Sequence, residues 1–491
     1  MDVVIALDAG TTGVRAIAFS PELEELASSY RTLTNHFPAP AYVEHDLNEL
    51  SVITLEVLSE IATWTSDNHH HVRALGITNQ RETTVAIDRR ADTHDTRAIV
   101  WQDRRTSDHC HQLRANGIEP MLRDRTGLVA DSYFSATKMS WLIAHGALQH
   151  AQQPGLGTID TFIVWLLTGG AQGGRWLSEP SNASRTLLVD LVSADWCPDL
   201  AELFNVPLDF VADIIPSIDH FGDVSHPALS TLRGVPIMCV MGDQQAALFG
   251  HAALHPGLAK ATYGTGSFLL AHAGDTVPAL QEGLITTIAW DLGIHGPLSY
   301  AYEGSAFVAG AAIQWLRDEL GIISSSAEIN ELAARVADSA GVSVVPAFSG
   351  LGSPQWRSDA RGTIMGLSRG VTREHLARAT LEALAFQVRA MTDAFAAAGV
   401  AVRELRADGG AAASDLLMSV QATASRLVVR RSSSLEATAR GAAGGAALAT
   451  GLIGSLDDYA QMWTSSQSFE PDDPLFLDLA YDAWCRAAER A

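Results

Sequence analysis

The sequence predicts an α/β fold of two similar domains that face one central cleft. A glycine- and threonine-rich run, DAGTTGVRA at 8–16, directly follows the apolar segment 3–7. A second run of the same kind, ATYGTGSFLLA at 261–271, lies in the second half of the chain. Short apolar segments typical of buried strands alternate with segments that carry apolar residues at helical spacing. Two equivalent loops in one chain therefore indicate a repeated domain.

The first loop has the composition of a site for phosphate and a metal ion. Gly10 allows the backbone to approach an anion closely, and the N–H groups of a tight turn point at phosphate oxygens. Asp8, at the end of the strand, offers a carboxylate that can hold Mg²⁺ through water. Taken alone, a loop of this length is better explained as a plain β-hairpin with a Gly-Thr turn. The other elements of the chain reverse that preference.

Two further elements complete an ordered set of four. Residues 235–250, VPIMCVMGDQQAALFG, predict a buried strand that ends at Asp243 and continues into a helix. Residues 405–421 predict a strand, a turn at Gly409 and Gly410, and a helix start, where a flat group such as adenine can lie against the backbone. Each element is a weak signal by itself. Their order resembles that of the actin-like ATPase and sugar kinase superfamily.

Composition excludes several other classes of protein. The 491 residues, 47% hydrophobic and 18% charged, are typical of a globular protein with two or three domains. The net charge of −23, with lysine only at Lys138 and Lys260, argues against a nucleic-acid surface. No apolar run approaches the roughly 20 residues of a membrane helix, and the first residues do not resemble a signal peptide. The four cysteines lack disulfide or metal-ligand spacing, so we expect a cytoplasmic protein.

The pattern of helices and turns suggests where the domains divide. The Pro256-Gly257 pair follows a predicted helix and precedes the second loop, so we divide the chain near residue 250 into domains 1–250 and 251–491. Apolar spacing predicts helices at 50–64, 306–320 and 372–398. The small-residue run 440–454 predicts a helix packed closely against the second sheet. The histidines at 69–71 follow a polar Ser-Asp-Asn segment, which favours a solvated loop over a metal site.

Phosphate binding does not explain three segments of the first half, GITNQRETT at 76–84, VWQDRRT at 100–106 and DSYFSATKMSWL at 131–142. Arg81 offers a fork of donors and Glu82 an acceptor directly after a buried strand, which suits the neighbouring hydroxyls of a small polyol. Trp101 and Tyr133 offer apolar faces to its C–H groups, and the tyrosine hydroxyl adds a hydrogen-bonding group. For each residue singly, a structural ion pair or a core aromatic cluster is an equally good interpretation.

At these residues the chain closely resembles the FGGY carbohydrate kinase family, from the first strand to about residue 460. YFSATKMSWLIAH at 133–145 matches a family signature, and GITNQRETT, IVWQDRRT, GDQQAALFGH and YGTGSF are similar to the branch that phosphorylates glycerol rather than pentuloses. The resemblance implies two ribonuclease-H-like domains of the actin-like ATPase superfamily around a central cleft. It also implies ATP with Mg²⁺, and glycerol and ATP as substrates. We expect a homo-oligomer.

The resemblance also assigns the site residues. The polyol side would consist of Arg81, Glu82, Trp101, Tyr133, Asp243, Gln244 and Phe268. The nucleotide side would consist of Thr11, Thr12, Arg15, Thr265, Gly266, Gly310, Gln314, Gly410 and Ser414. Asp8 and Asp243 would lie next to Mg²⁺. The chain departs from the family pattern at Gly13 and Val14, where two serines are common, and at Ser414, where an asparagine is common.

Asp243 is the candidate general base. It ends a strand beside the expected polyol site, and a carboxylate within hydrogen-bond reach of a primary hydroxyl can accept its proton as the bond to phosphorus forms. The expected reaction converts ATP and glycerol into ADP and sn-glycerol 3-phosphate. Two alternatives remain open. An FGGY kinase for another small polyol or a pentulose would keep the phosphate elements, whereas a non-catalytic actin-like nucleotide-binding protein would need no polyol pocket.

Overall fold

The computed structural model describes residues 1–473 and 475–491, in which strands and helices alternate along the chain. Within that part the strands, numbered β1–β23 in chain order, are Asp2–Ala9, Gly13–Phe19, Glu25–Thr32, Glu44–His45, His71–Asn79, Thr84–Asp88, Ala98–Ile99, Pro154–Thr158, Leu177–Ser178, Val189–Asp190, Asp195–Trp196, Asp213–Ile214, Gly222–Asp223, Pro236–Gly242, Leu258–Tyr263, Ser267–Gly274, Ile285–Asp291, Leu298–Ala306, Ser343–Val345, Thr363–Met365, Glu404–Asp408, Val428–Ser432 and Ser465–Phe469. The helices of the same described residues, numbered α1–α15, are Leu47–Asp67, Ser107–Ala115, Glu119–Thr126, Ser135–Ala144, Ile159–Leu167, Pro180–Ala183, Pro198–Leu203, Asp243–Gly250, Gly310–Asp318, Glu328–Ala333, Arg373–Ala397, Asp415–Ser425, Ala437–Ala449, Leu456–Gln461 and Leu475–Ala488.

Two large mixed sheets share one topology. In the first, the order is β13-β14-β5-β1-β2-β3, in which the pairs β1–β2 and β2–β3 are antiparallel and β5 and β14 continue parallel to β1. In the second, the order is β17-β18-β16-β15-β21-β22-β23, with β15, β16 and β18 antiparallel and β21 and β22 continuing parallel to β15. Each sheet thus joins three antiparallel strands to two parallel ones. This repeat confirms the predicted α/β class with two similar domains.

The central strands of the first sheet are buried on both faces. Along β1, Ile5 and Leu7 pack into a core that includes α1 and α5, whereas Val4 and Ala6 pack into a second core that includes α8 and α13. Because side chains alternate between the faces of a strand, a strand buried on both faces needs a nearly continuous apolar run. Residues 3–7 have such a run, so β1 lies at the middle of its sheet.

The predicted packing of the small-residue helix is wrong. α13 packs against β1, β5 and β14 of the first sheet and against α8, although it belongs to the second half of the chain. A Cβ added at Gly76 would overlap the backbone oxygen of Ala442, and one added at Gly441 would overlap that of Ala246. Glycine and alanine therefore allow main chains to touch at this contact. Their pattern in the sequence indicates close packing but does not say which sheet receives the helix.

The predicted helices are present, with corrected ends. α1 is longer than the predicted 50–64, since the Asp46 side chain caps it by accepting from the N–H of Asn48 at 2.8 Å. The helix predicted at 306–320 begins only at Gly310, because β18 continues to Ala306. His69 lies in the exposed turn before β5, as predicted for this loop, whereas His71 is already the first residue of that strand. None of the described helices is both long and apolar enough to cross a bilayer.

Candidate active site

Four buried charged side chains form one ion network at the carboxyl end of β5. Arg81 and Glu82 follow β5, Arg185 lies on the 3₁₀ turn 184–186, and Glu303 lies on β18 of the second sheet. The Glu303 carboxylate accepts from Arg81 Nη1 at 2.6 Å and from Arg185 Nη2 at 3.0 Å. Arg185 Nε donates to Glu82 Oε1 at 2.6 Å. All four side chains are at most 3% exposed, so the network joins the two halves of the chain in a low-dielectric interior.

The pKa values of the two glutamates in the network are shifted in opposite directions. Burial alone would raise the pKa of Glu303, but Arg185 and Arg81 outweigh it and lower that pKa to about 2. Burial raises the pKa of Glu82 above its ordinary value, although Arg81 and Arg185 oppose the shift. Glu303 is therefore the permanently ionised partner of both guanidinium groups. Glu82 is more easily protonated than Glu303.

Two donor atoms of this network form no hydrogen bond in the described structure. Arg81 Nε and Arg185 Nη1 are buried and form no hydrogen bond. Arg81 Nε does lie 3.2 Å from Asp243 Oδ1 and 4.0 Å from Glu82 Oε1, as ion pairs. Buried polar groups are normally hydrogen-bonded, so a buried donor without an acceptor suits a site that receives an oxygen-rich ligand. The adjacent Arg81 and Glu82 are thus not simply each other's structural ion pair.

Aromatic side chains lie next to this network. Trp101 and Tyr133 contact each other edge to face, with ring centroids 5.7 Å apart. Trp101 Nε1 donates to Thr11 Oγ1 at 2.9 Å, which ties the predicted polyol side to the first loop. Burial raises the pKa of the Tyr133 phenol, which stays protonated and can donate. Phe268 is half-buried on β16.

Asp243 and Gln244 begin α8. The Asp243 side chain is 31% exposed, and its Oδ1 accepts from the N–H of Gln244 at 2.7 Å. The Gln244 amide oxygen accepts from the buried Lys260 ammonium, which also donates to Thr262 at 3.1 Å. A Cβ at Gly242 would lie 2.7 Å from Arg81 Cγ, so glycine is needed for Arg81 to pass this turn. The structure therefore brings Arg81, Asp243 and Gln244 together.

The first loop brings a second carboxylate towards Asp243. Burial, and to a lesser degree the charges of Asp243 and Glu436, raise the pKa of Asp8 to about 7, while Arg15 opposes the shift. Asp8 makes no side-chain hydrogen bond or ion pair within residues 1–473 and 475–491. Arg15, predicted on the nucleotide side, forms an ion pair with Glu436 just before α13. Thr11 is half-buried and Thr12 is exposed at the tip of the loop.

The donor set here suits Mg²⁺. The negative charge of Asp243 contributes to the raised pKa of Asp8, and a nearby cation would relieve that repulsion. Among the described residues no group of three or more His, Cys, Asp or Glu side chains forms a protein cage for a metal. Mg²⁺ is commonly held by one or two carboxylates together with water and phosphate oxygens. Asp8 and Asp243 fit that mode of binding, which stays a prediction.

The second loop lies against the start of α9. The carbonyl of Thr265 accepts from the N–H groups of Ala309 at 2.8 Å and Ala311 at 3.1 Å, and that of Gly264 accepts from Gly310 at 2.9 Å. A Cβ at Gly266 would lie 2.6 Å from the Ala306 oxygen, and one at Gly310 would lie 2.7 Å from the Gly264 oxygen. Both glycines are therefore needed for this close approach. Ser267 Oγ is buried there and has no hydrogen-bond partner within residues 1–473 and 475–491, and Gln314 is exposed on α9.

The double-glycine turn after β21 is also as tight as predicted. Gly409 has φ of 86° and lies against the backbone of Tyr263, where a Cβ would be 2.6 Å from the Tyr263 oxygen. Gly410 faces open space, since no atom comes within 4 Å of its Cβ position. The turn thus leaves a flat, side-chain-free surface next to the second loop, as a base-binding surface requires.

Comparison with known proteins decides the family. The profile of the N-terminal domain of the FGGY family of carbohydrate kinases matches residues 3–250, and that of the C-terminal domain matches residues 259–450. The chain belongs to the FGGY family of carbohydrate kinases. The predicted family is confirmed, whereas the division at residue 250 stays a prediction.

Relatives of this FGGY protein match over its whole length. The glycerol kinase of Bordetella parapertussis is 46% identical over 494 residues, covering 99% of this chain and 96% of that protein. The glycerol kinase of Gloeobacter violaceus is 45% identical with the same coverage. The crystal structure of Plasmodium falciparum glycerol kinase with ADP is 30% identical, has a TM-score of 0.94, and covers 100% of this chain and 98% of that one. These likenesses confirm the predicted actin-like ATPase fold around a cleft.

The structure explains two departures of this FGGY protein from the family pattern. A Cβ at Gly13 would collide with the Tyr30 ring and the Arg31 carbonyl, so no serine fits there while Tyr30 lies across the loop. Ser414 caps α12 by accepting from the N–H of Leu417 at 3.0 Å, and it donates to Asn330. The Asn330 amide thus lies against the Ser414 hydroxyl.

Sequence reasoning missed Arg185 and Glu303. Glu303 is the only acidic residue in the apolar strand Leu298–Ala306, which is a usable signal because an isolated charge in a buried strand needs a partner. Arg185 follows a short polar segment that gives no comparable signal.

Proposed function

We propose that this protein transfers the γ-phosphoryl group of ATP to glycerol, forming sn-glycerol 3-phosphate and ADP. The observation that carries the proposal is the buried Arg81–Glu82–Arg185–Glu303 network beside Asp243, in which Arg81 Nε lies 3.2 Å from the Asp243 carboxylate and Arg185 Nη1 has no acceptor among the described residues. Relatives named glycerol kinase, 45–46% identical over the whole chain, support glycerol as the ligand.

The polyol contacts follow from donor and acceptor chemistry. Arg81 and Arg185 offer N–H donors, and Glu82 and Asp243 offer acceptors, so neighbouring hydroxyls of glycerol can each give and receive a hydrogen bond. Trp101, Tyr133 and Phe268 supply apolar walls for its C–H groups. Gln244, held by Lys260, adds an amide on the side of Asp243. A three-carbon polyol uses these groups without leaving a buried charge unpaired.

Asp243 acts as the general base. Its carboxylate begins α8, is partly open to solvent, and lies 3.2 Å from Arg81 Nε, which orients it. In phosphoryl transfer the base receives the hydroxyl proton as the oxygen attacks phosphorus, while most of the catalysis comes from positioning and charge neutralisation. Asp243 therefore takes the proton from the terminal hydroxyl of glycerol.

The two loops and the double-glycine turn hold ATP. Thr11, Thr12 and Arg15 of the first loop and Thr265 and Gly266 of the second lie on the phosphate side, and Gly310, Gln314, Gly410 and Ser414 lie on the nucleoside side. Asp8 and Asp243 would hold Mg²⁺, which neutralises charge on the phosphates when bound. For Arg15 to reach a phosphate it must leave Glu436, so nucleotide binding competes with that ion pair.

The setting of the enzyme is part of the proposal. Cys110, Cys197, Cys239 and Cys485 are all free thiols, which suits a reducing cytoplasm. Leu475 and Leu479 on α15 are 67% and 64% exposed, and an assembly of identical chains would cover such apolar side chains. Light scattering of the purified protein measures the mass of the assembly.

A coupled assay for ADP tests the proposal. With saturating ATP and Mg²⁺, glycerol should stimulate ADP formation, and the product should be oxidised by an enzyme specific for sn-glycerol 3-phosphate. ADP formation only with another polyol or a pentulose would indicate an FGGY kinase that acts on a substrate other than glycerol. Nucleotide binding without polyol-dependent ADP formation would indicate a non-catalytic nucleotide-binding protein. Either result would refute the proposed function.

A further inference from the structure

Lysine is nearly absent from this chain, and both lysines are completely buried. Of 33 lysine and arginine residues, only Lys138 and Lys260 are lysine. Each is 0% exposed. The compact ammonium of lysine and the planar fork of arginine are not interchangeable in an enclosed space. The two lysines therefore occupy positions for which the chain's usual basic residue is unsuitable.

Lys138 lies on α4 and binds the main chain of two predicted polyol residues. Its ammonium donates to the carbonyl of Tyr133 at 2.9 Å and to that of Glu82 at 3.2 Å. Ser135, on the same helix, donates to the Glu82 carbonyl at 3.0 Å. Among the described residues no carboxylate lies within ion-pair distance of Lys138, so its contacts are with backbone oxygens. Two donors of one helix thus converge on the Glu82 carbonyl.

The backbone of Glu82 needs such support. Its φ is 58°, in the left-handed region, which is unfavourable for a residue with a side chain. Such a conformation persists only where the surrounding structure holds it. The turn at Glu82 directs its carboxylate to Arg185 Nε. Another nitrogen of the same guanidinium, Arg185 Nη1, is the buried donor without an acceptor among the described residues. Without the carbonyl contacts, the carboxylate would lose this fixed direction.

We infer that Lys138 is a positioning residue of the polyol site, whose ammonium holds the main chains of Glu82 and Tyr133 so that the carboxylate and the phenol meet the substrate together. Lys138 itself does not touch the substrate. The inference rests on the proposed function only in taking the substrate to be a polyol. It predicts that loss of the ammonium affects polyol recognition and leaves ATP binding largely intact.

Lys138→Met tests the inference, with Arg440→Met as the matched control. Arg440, on α13, is 8% exposed and also donates to two backbone carbonyls, those of Leu23 and Met462, each at 2.8 Å, and neither of these is a predicted polyol residue. In Lys138→Met we expect KM for glycerol to rise by roughly tenfold or more and KM for ATP to change by less than about twofold. The preference for glycerol over propane-1,2-diol should fall by about tenfold, because a loosened Glu82 no longer penalises a missing hydroxyl. In Arg440→Met the unfolding temperature should fall without a change in that preference.

Several outcomes would overturn the inference. A folded Lys138→Met protein with unchanged KM for glycerol and unchanged preference would do so, as would the same kinetic change in Arg440→Met. If Lys138→Met does not fold, Ser135→Ala decides, since it removes the other donor to the Glu82 carbonyl. In Ser135→Ala, a rise of roughly threefold in KM for glycerol with KM for ATP unchanged supports the inference, and no rise in KM for glycerol overturns it.

Wild-type protein is assayed in parallel with several polyols. If it does not use glycerol, the proposed function fails, and the variants are then compared with the polyol it uses best.

Discussion

Replacing Glu303 with glutamine removes the one carboxylate that pairs with both Arg81 and Arg185. The glutamine keeps the size of the side chain, so the change is mainly one of charge. Holding the pKa of Glu303 at about 2 rather than 4.5 corresponds to about 3 kcal/mol of stabilisation. Removing one partner of a buried ion pair typically costs about 3–5 kcal/mol, because the other charge is left uncompensated. We therefore expect Glu303→Gln to lose at least about 3 kcal/mol of stability.

Thermal unfolding followed by calorimetry measures this loss, and the unfolding temperature should fall by roughly 6 °C or more for a domain of this size. Arg81 also loses its main anchor, so kcat/KM for glycerol should fall by about 10²-fold. Asp318→Asn is the matched control, since it breaks an exposed ion pair with Arg317, and exposed ion pairs contribute little to stability. If Glu303→Gln unfolds and turns over like Asp318→Asn, the network is neither the stabilising nor the positioning element described here.

Three further expectations concern the same site. Asp243→Asn should fold normally and lose about 10²- to 10⁴-fold in kcat, the usual contribution of a positioned general base, and near-normal turnover of the folded variant would remove Asp243 from the mechanism. Propane-1,2-diol should be a substrate about 10⁴-fold poorer than glycerol in kcat/KM, because it leaves buried donors unpaired, and comparable values would show that those donors do not bind hydroxyls. The stability difference between wild type and Glu303→Gln should be constant above about pH 5 and shrink as the pH falls towards 2, because the pKa of Glu303 is lowered from 4.5 to about 2 on folding. Urea unfolding at a series of pH values checks this, and a difference that grows on acidification would contradict it.

The fold was largely predictable because its signals are local. The two glycine-threonine loops, the apolar run of β1 and the strand that ends at Asp243 each depend on neighbouring residues, and their order indicated two similar domains. The side of the sheet that receives α13 was not predictable. Small residues at 440–454 show that something approaches closely, but Gly76 of the first sheet, which meets Ala442, is far away in the sequence.

The candidate site was predictable only in part, for the same reason. Arg81 and Asp243 lie in recognisable segments and are brought to 3.2 Å from each other. Glu303 pairs with Arg81, 222 residues away in the sequence, and with Arg185, 118 residues away. Contacts between such distant residues cannot be predicted from a local sequence pattern. Similarly, Arg15 was predicted from its loop, but its pairing with Glu436 depends on the approach of α13.

The specificity constants for glycerol and xylulose, measured side by side with saturating ATP and Mg²⁺, test the central claim most directly. The donors of Arg81 and Arg185 and the acceptors of Glu82 and Asp243 match a three-carbon polyol, and we expect a pocket walled by Trp101 and Phe268 to leave little room for two further carbons. We therefore expect kcat/KM for glycerol to exceed that for xylulose by a factor of about 10² or more. A constant for xylulose equal to or above that for glycerol would contradict the assignment of glycerol as substrate, while leaving the chain in the FGGY family.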